Sequence, residues 1–597
     1  MKEKKQKNSK PQKADRPGAT QNAGTAPKQP KPVSADPGAL YARTLVAAVI
    51  VVITFFAFFP SLHNGLLKTW DDQAYVTNND LVKSLSVANI VKIFKEDKGQ
   101  YANYHPLTTL SLAVNYHFSK EEPFGYHFTN LLLHLLNTLL VFVFIYFLSK
   151  NNLVIAAVTA LLFGVSPVHV ESVAWISERK DVLYTLFFLA SLISYQLFLK
   201  RADWKWYALS MLFFLCSILS KAMAASLPLV LLLVGFMETG KWKWKMLPDK
   251  LPYFVVALLL GLYAVRIQAQ GNAIGGIMFP LLFRILHAGY GFIAYIVKIF
   301  IPTGLSAFYP YPYPLVNAGW VIDTPLPVFY LTLILTIAVL CFSVYGIFSG
   351  RRNLQAAGFG ILFYALTIVL VLQFLPVGRA VMADRYAYVP SIGLFFIAGY
   401  FASLFNQKKN FRIPVILVMA VYALFLVFLT LKQTRVWEND ETLWNNTIQL
   451  YPLDNRIALV YGNRSQYYQM AGKPAQELKD LLVVVQSNPK DDVCLEKIGK
   501  IYGADLHDQE SANTWFAKAY EANPQNIEVI KDLVIVYGMK GDFNKSLEFS
   551  LKGLEIEKND AFLLYNTGIT YRNLGKPDLA KDYIRKAGEI DPKFAGK

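Results

Sequence analysis

Before residue 39 the chain carries almost nothing to bury; beyond it, apolar runs alternate with short polar or basic turns. Runs such as 45–60, 130–148 and 328–347 approach or reach the ~20 residues that a helix needs to cross a bilayer. The pattern predicts twelve apolar helices, at about 42–60, 127–149, 152–168, 182–199, 205–221, 222–239, 251–267, 283–302, 326–349, 355–376, 388–405 and 412–431. Basic residues collect between them: Lys200, Arg201 and Lys205; Lys241, Lys243, Lys245 and Lys250; Arg351 and Arg352; Lys408, Lys409 and Arg412. Such loops stay on the cytoplasmic side. The stretch from Lys250 to Arg351 must then hold an even number of crossings, yet it contains three apolar segments. Arg284, His287 and Lys298 interrupt 283–302, which is therefore expected to be re-entrant or interfacial, leaving about eleven crossings. Starting inside, eleven crossings place everything after Leu431 outside the cytoplasm. They put the connections 61–126, 169–181, the turn near Lys221, 268–325 and 377–387 on that same outer side.

After Arg435 the apolar runs give way to amphipathic helices, with Asn488-Pro489, Asn523-Pro524 and Asp591-Pro592 closing successive units 35 and 68 residues apart. A period of 34 is the signature of tetratricopeptide (TPR) repeats. Gly568, Tyr571, Gly575, Ala580, Ala587 and Pro592 occupy the small, aromatic and proline positions of such a repeat. Four units fit, at about 455–489, 491–524, 526–558 (degenerate) and 560–592. Tyr461, Trp515 and Phe549 are read as repeat core. The expected class is all-α: residues 39–434 a polytopic helical membrane domain with its first outer loop at 61–126, and 435–597 an α-solenoid of TPR repeats.

Composition agrees, with 54% apolar and 17% charged residues among 597. A net charge of +17 in a soluble protein would raise the question of nucleic acid. Here the basic positions follow membrane topology, so lipid and not nucleic acid is the expected surround. Residues 1–38 read as a disordered basic cytoplasmic tail, with ten Lys/Arg against three Asp/Glu from Met1 to Leu45. The first apolar run lacks a cleavage site and is read as a retained anchor. Three cysteines, Cys216, Cys341 and Cys494, indicate neither a disulfide framework nor a Cys-based zinc site.

Chemistry concentrates on the outer connections. The first opens with the adjacent acids Asp71 and Asp72 a few residues past a span. Paired acids at a membrane surface suit a general base for an incoming hydroxyl, or a divalent-cation site that helps a phosphate leave. They equally suit a solvated turn or helix cap. The second connection gathers His169, Glu171, Glu178, Arg179, Lys180 and Asp181 between two apolar spans. Lys221 sits at the outer end of its span, and Arg379, Asp384 and Arg385 add to the same face. These cations can hold a phosphate leaving group, or Glu171 with Arg179 and Asp384 with Arg385 can pair to hold helices together. His105, His117, His127 and His134 match no metal-ligand spacing, so no metal ligand is assigned. No Gly-rich nucleotide cradle or nucleophile elbow appears.

The strings TWDDQAYVTNN, YHPLTTLSLAVNY, FGYHFTNLLLHLLN, SPVHVESVAWISERKDVL, FYPYP and MADRYAYVPSIG occur in one order. In these the chain resembles the transmembrane and TPR repeat-containing O-mannosyltransferase-like proteins, a branch of the C-type (GT-C) membrane glycosyltransferases, over roughly residues 40–597. The resemblance implies transfer of a sugar, mannose by the family name, from a polyprenyl-phosphate carrier to a protein hydroxyl on the outer side of the cell's inner membrane. It implies Asp71 or Asp72 as catalytic base, with Glu171 as a further acid. Arg179, Lys180, Lys221, Arg379, Asp384 and Arg385 are then expected around the donor, and the TPR groove is expected to take the protein acceptor. The family's His-Pro opening of the second motif reads Ser166-Pro167 here. A non-catalytic, membrane-anchored TPR scaffold or assembly factor is the competing reading.

Overall fold

A computed structural model describes residues 37–96, 103–240, 247–270, 279–312, 326–374, 378–452 and 455–595. The amino-terminal tail and the basic positions Lys241, Lys243 and Lys245 lie outside the described residues. The chain divides into two compact units, Met1–Leu45 and Val46–Lys597. Of the first, residues 37–45 are described and helical.

The described residues are helical without strands. In chain order the helices up to the last apolar run are α1 (Pro37–Phe58), α2 (Val87–Glu96), α3 (Pro106–Ser119), α4 (Pro123–Leu148), α5 (Leu153–Gly164), α6 (Val170–Ala174), α7 (Arg179–Arg201), α8 (Trp204–Ser220), α9 (Leu227–Thr239), α10 (Leu251–Gln270), α11 (Leu281–Phe300), α12 (Leu326–Phe348), α13 (Arg352–Ile368), α14 (Ser391–Asn406) and α15 (Lys409–Val436). Among the described residues nine helices are long and apolar enough to cross a membrane, and α5 with Pro167–Ala174, bent by 53°, makes a tenth. α8 and α14 are shorter apolar helices. This is an integral, multi-pass membrane protein.

Contacts at the helix ends sort them onto two faces. On one, Asn64 after α1 donates to the Thr434 carbonyl near the end of α15 (3.3 Å), and Gly65 N–H donates to Glu438 O (2.9 Å). The start of α4 meets the start of α7 through Arg179 and Tyr126 O (2.9 Å), Lys221 after α8 reaches Asp181, and Gln268 near the end of α10 donates to Asn103. On the opposite face Lys200 near the end of α7 reaches Phe147 O near the end of α4, Asn152 before α5 donates to Ser403 in α14, and Tyr400 in α14 donates to Asn353 at the start of α13.

The flanks of α11 both make contacts on the first face. Arg284 at its start donates to Phe374 O beyond the end of α13, on the first face. At its other end Lys298 donates to Gly304 O (3.0 Å), and Leu305 O accepts from Asn446 (2.9 Å), again on the first face. Its length and composition are those of a span, while among the described residues both flanks meet the same face. Close approach inside the bundle depends on glycine. A Cβ on Gly360 of α13 would lie 2.4 Å from Gly393 O of α14, and one on Gly393 would lie 2.3 Å from Gly360 O. Such small-residue seams hold helices together where lipid removes the hydrophobic drive between them.

Beyond α15 come α16 (Asp440–Leu450) and four helix pairs. These are α17 (Ala458–Met470) with α18 (Pro474–Ser487), α19 (Asp492–Lys500) with α20 (Gln509–Ala522), α21 (Ile527–Met539) with α22 (Phe543–Ile556), and α23 (Ala561–Asn573) with α24 (Pro577–Ile590). Gly568 lets α23 approach α24, where a Cβ would meet Ile584 at 2.7 Å and Ala580 O at 3.0 Å. Ala580 and Ala587 are buried at that seam, as the repeat pattern predicts.

Candidate active site

On the first face, the segment after α1 turns inward. Asp72 is 1% exposed, so neither a solvated turn nor a surface cap describes it. Its Oδ2 accepts from Leu67 N–H (2.9 Å), and its Oδ1 accepts from Ser177 N–H (3.0 Å) and from the Ser177 hydroxyl. Both carboxylate oxygens thus clip the first loop to the segment that opens α7. Burial pushes the Asp72 carboxyl up to about 7, against the pull of the Ser177 and Leu67 donors.

Asp71 has a different environment. Half-buried, its carboxylate makes no hydrogen bond or ion pair among the described residues, while Lys180, Glu178 and Arg385 act on it through space. Burial raises its pKa above the ordinary carboxylate value, Lys180 and Arg385 pull it down, and Glu178 pushes it up. It is the acid of the pair that is free to take a proton.

The cations come from the broken stretch between α5 and α7. Pro167 cannot continue α5, so the chain passes through a 3-10 turn, the short α6, an extended Trp175 and a second 3-10 turn before α7 starts. That path lines up acids and cations in alternation. Arg385 donates to Glu171 through its backbone N–H (2.9 Å) and its guanidinium, and its Nε lies 3.2 Å from Glu178. Glu178 also holds Lys180 (3.1 Å) and Lys221 (3.4 Å), and Lys221 continues to Asp181 (2.5 Å). Lys180 lies 4.5 Å above the Tyr75 ring, and the Arg385 guanidinium lies 5.6 Å above Trp175.

Several expected residues stand elsewhere. Arg179 is fully buried and faces α3 and α4; its donors go to Ser111 (2.9 Å), Asn115 (2.7 Å), Tyr126 O (2.9 Å) and Asn130. It braces helices with four of its five N–H donors. Glu171 has both oxygens on Arg385, the geometry of a residue that orients a cation. Asp384 accepts from the Tyr309 hydroxyl (2.6 Å), so it anchors the FYPYP segment. Burial pushes the Asp384 carboxyl up to about 7, with Lys298 opposing and Glu171 adding to the rise. Arg379 is exposed, outside the alternating row.

The structure adds residues that sequence reasoning passed over. Glu178 joins three cations, a role that its position inside the ISERKD string did not single out. His105, given no role by its spacing, is buried beside Lys180 and Lys221 with Nδ1 lacking a partner among the described residues. Burial, reinforced by those two lysines, drops its pKa to about 3 and keeps it neutral. The indole N–H groups of Trp70 and Trp175 likewise have no acceptor among the described residues, and their rings stack at 5.8 Å. No group of three or more His, Cys, Asp or Glu suited to a metal ion occurs among the described residues.

Against known proteins, residues 126–267 match the family model of dolichyl-phosphate-mannose-protein mannosyltransferases, and 563–594 match a tetratricopeptide repeat model. Human protein O-mannosyl-transferase TMTC3 is 23% identical over 642 positions, covering 91% of this chain and 68% of that protein. In these matches the chain is similar to the transmembrane and TPR repeat-containing O-mannosyltransferase-like proteins. Within that family the fruit-fly protein O-mannosyl-transferase Tmtc1 is 29% identical over 31% of this chain, and mouse TMTC1 is 44% identical over 17%. These two matches take in 22% and 11% of the relatives' own length. Among solved structures, the crystal structure of MamA protein matches 26% of this chain and 82% of its own, at 18% identity and a TM-score of 0.24.

Proposed function

We propose that this protein transfers mannose from a polyprenyl-phosphate carrier to a hydroxyl of a protein acceptor on the extracytoplasmic side of the cell membrane. The observation that carries the reading is Asp71: an unpaired carboxylate of raised basicity beside a row of cations. Asp71 takes the acceptor hydroxyl proton as the oxygen attacks the anomeric carbon. Bond breaking leaves the electron pair on the carrier phosphate, which Lys180, Lys221 and Arg385 stabilise. Trp70, Trp175 and His105 offer ring nitrogens to the sugar hydroxyls. Buried polar groups left unpaired cost about 1–3 kcal/mol each, so a ligand that pairs them gains binding from them.

The basic positions beside the described contacts of the opposite face, Lys200, Arg351, Arg352 and Lys408, support the side: they lie opposite the clustered acids, as the positive-inside bias requires. The names of the curated relatives support mannose and a protein acceptor, and the TPR array supplies a surface on which such an acceptor docks. The test has two parts. Mass spectrometry of envelope and secreted proteins with and without this protein looks for lost hexose on Ser or Thr. Purified protein in lipid is then given polyprenyl-phosphate mannose and a synthetic Ser/Thr-rich peptide pool. Unchanged glycopeptides together with an inert purified protein would leave the non-catalytic scaffold in its place.

A further inference from the structure

The first helix of the soluble part reaches into the candidate site. Asp440, at the start of α16, is 4% exposed. Its Oδ2 accepts from Lys68 N–H (3.0 Å), and its Oδ1 accepts from Thr69 N–H (2.8 Å) and the Thr69 hydroxyl (2.5 Å). One turn on, the Trp444 indole N–H donates to the same hydroxyl (2.7 Å). Trp70 packs edge-on against Trp444 (5.0 Å) and stacks on Trp175, which packs on Trp437 (5.5 Å). The next residue is Asp71.

We propose that Asp440 is a positioning residue for sugar transfer: by gripping Lys68 and Thr69 it fixes the backbone that presents Asp71, which makes the base of the solenoid part of the active site. The inference rests on the transfer reading above. Asp71 lies between two clips, Asp440 on residues 68–69 and Asp72 on Leu67 and Ser177. A plain helix-capping role does not account for the contacts. Asn439 and Thr442 already form a reciprocal capping box at the start of α16, so the Asp440 carboxylate is spent on a loop some 370 residues away. α16 grips a second segment as well. Asn446 donates to Leu305 O (2.9 Å), Thr447 bonds Ser306 (3.2 Å), and Arg456 just beyond donates to Tyr311 O (3.2 Å). That segment carries Tyr309, the donor to Asp384. Truncating the chain ahead of α16 therefore removes support from the first loop and the FYPYP segment together.

A residue that places the base without touching substrate acts on turnover, leaving carrier affinity alone. The experiment uses the full chain in lipid, with polyprenyl-phosphate mannose and the same peptide pool, comparing the parent with Asp440→Asn and Trp444→Phe. Asp440→Asn is expected to lower the single-turnover rate at saturating carrier about tenfold or more, a barrier change of about 1.4 kcal/mol. Carrier half-saturation is expected to stay within about twofold of the parent, the pattern of an interaction made only in the transition state. Amide hydrogen exchange at Lys68 or Thr69 should accelerate selectively, because the two N–H groups use different carboxylate oxygens and the amide replaces one of those acceptors with an NH2. The acid limb of the rate should move to lower pH, since water admitted around Asp71 relieves the burial that raises its pKa. Trp444→Phe removes one hydrogen bond and should give the same pattern more weakly, and it carries the test if Asp440→Asn does not insert. Parent-like rate and pH profile in the variants, with the amides exposed, overturn the inference alone. An inert parent overturns the transfer reading and the inference with it.

Discussion

The two adjacent acids give the sharpest test, because one substitution at each should fail in a different way. Asp71 has no hydrogen bond to lose, so Asp71→Asn should change stability by no more than about 0.5 kcal/mol. It should still lower transfer about a hundredfold to ten-thousandfold, or about 3–5 kcal/mol of barrier, because an amide cannot take the acceptor proton. Asp72→Asn has the opposite profile. The carboxylate accepts from Leu67 N–H, Ser177 N–H and the Ser177 hydroxyl, whereas an amide has one acceptor oxygen and turns its NH2 toward at least one of those donors. A buried donor left facing another donor costs about 1–3 kcal/mol. Stability should fall by that amount, and the rate should fall less than in Asp71→Asn, through displacement of the loop. The assay is single-turnover transfer from polyprenyl-phosphate mannose by purified protein in lipid, with thermal unfolding of each variant in parallel. Parent-rate transfer by Asp71→Asn would refute its role as base. An inactive but fully stable Asp72→Asn would assign that role to Asp72.

Three further outcomes follow from the same geometry. The rate should rise with pH through the elevated pKa of Asp71, since only the deprotonated acid is a base, and Lys180→Met should move that limb upward by removing a charge that lowers it; a limb unmoved in Lys180→Met would separate Asp71 from the rate. Arg179→Leu should reduce folded, inserted protein, by on the order of 4 kcal/mol of unfolding free energy, because Ser111, Asn115, Asn130 and Tyr126 lose a common donor; normal stability with lost carrier binding would return Arg179 to the donor site. Gly360→Leu should part α13 from α14, read as a lowered unfolding midpoint, and an unchanged midpoint would show that the seam yields.

The fold class was legible because its signals are long: apolar runs of bilayer length and a 34-residue repeat survive any local ambiguity. The site was legible as a set of charged strings on one side, but the division of labour inside each string was not. Arg179 and Lys180 are neighbours in sequence, yet successive residues at a helix start point about 100° apart, so one braces α3 and α4 while the other meets Glu178 and Tyr75. Asp72 looks like a turn residue until Ser177, 105 positions away, is placed against it. Glu171 resembled the assisting acid because of its place in the motif. Only the three-dimensional path around Pro167 shows it pairing with Arg385, while Glu178 joins three cations. Asp440 carried no signal at all, since a carboxylate at the start of a helix is ordinary there.

On the proposed function, the arrangement around Glu178 lets three cations wait together for a phosphate. At an effective dielectric of 20, like unit charges about 4 Å apart repel by about 4 kcal/mol, so Lys180, Lys221 and Arg385 could not converge in an empty site without a counter-charge. Glu178 supplies it, contacting all three at 3.1–3.4 Å. Glu171 and Asp181 hold the far sides of Arg385 and Lys221. The carboxylates thereby keep the cations ordered before substrate arrives, and a phosphate that draws charge as its bond to the sugar breaks finds donors that need not reorganise. Glu178→Gln should therefore hurt more than Glu171→Gln. Removing the central counter-charge leaves three cations to repel one another, whereas Glu171→Gln leaves Arg385 still held by Glu178. The measurement is the rate at saturating carrier for both variants at matched expression. Equal losses would mean that the row works through Arg385 alone, and that Lys180 and Lys221 take no part in stabilising the leaving phosphate.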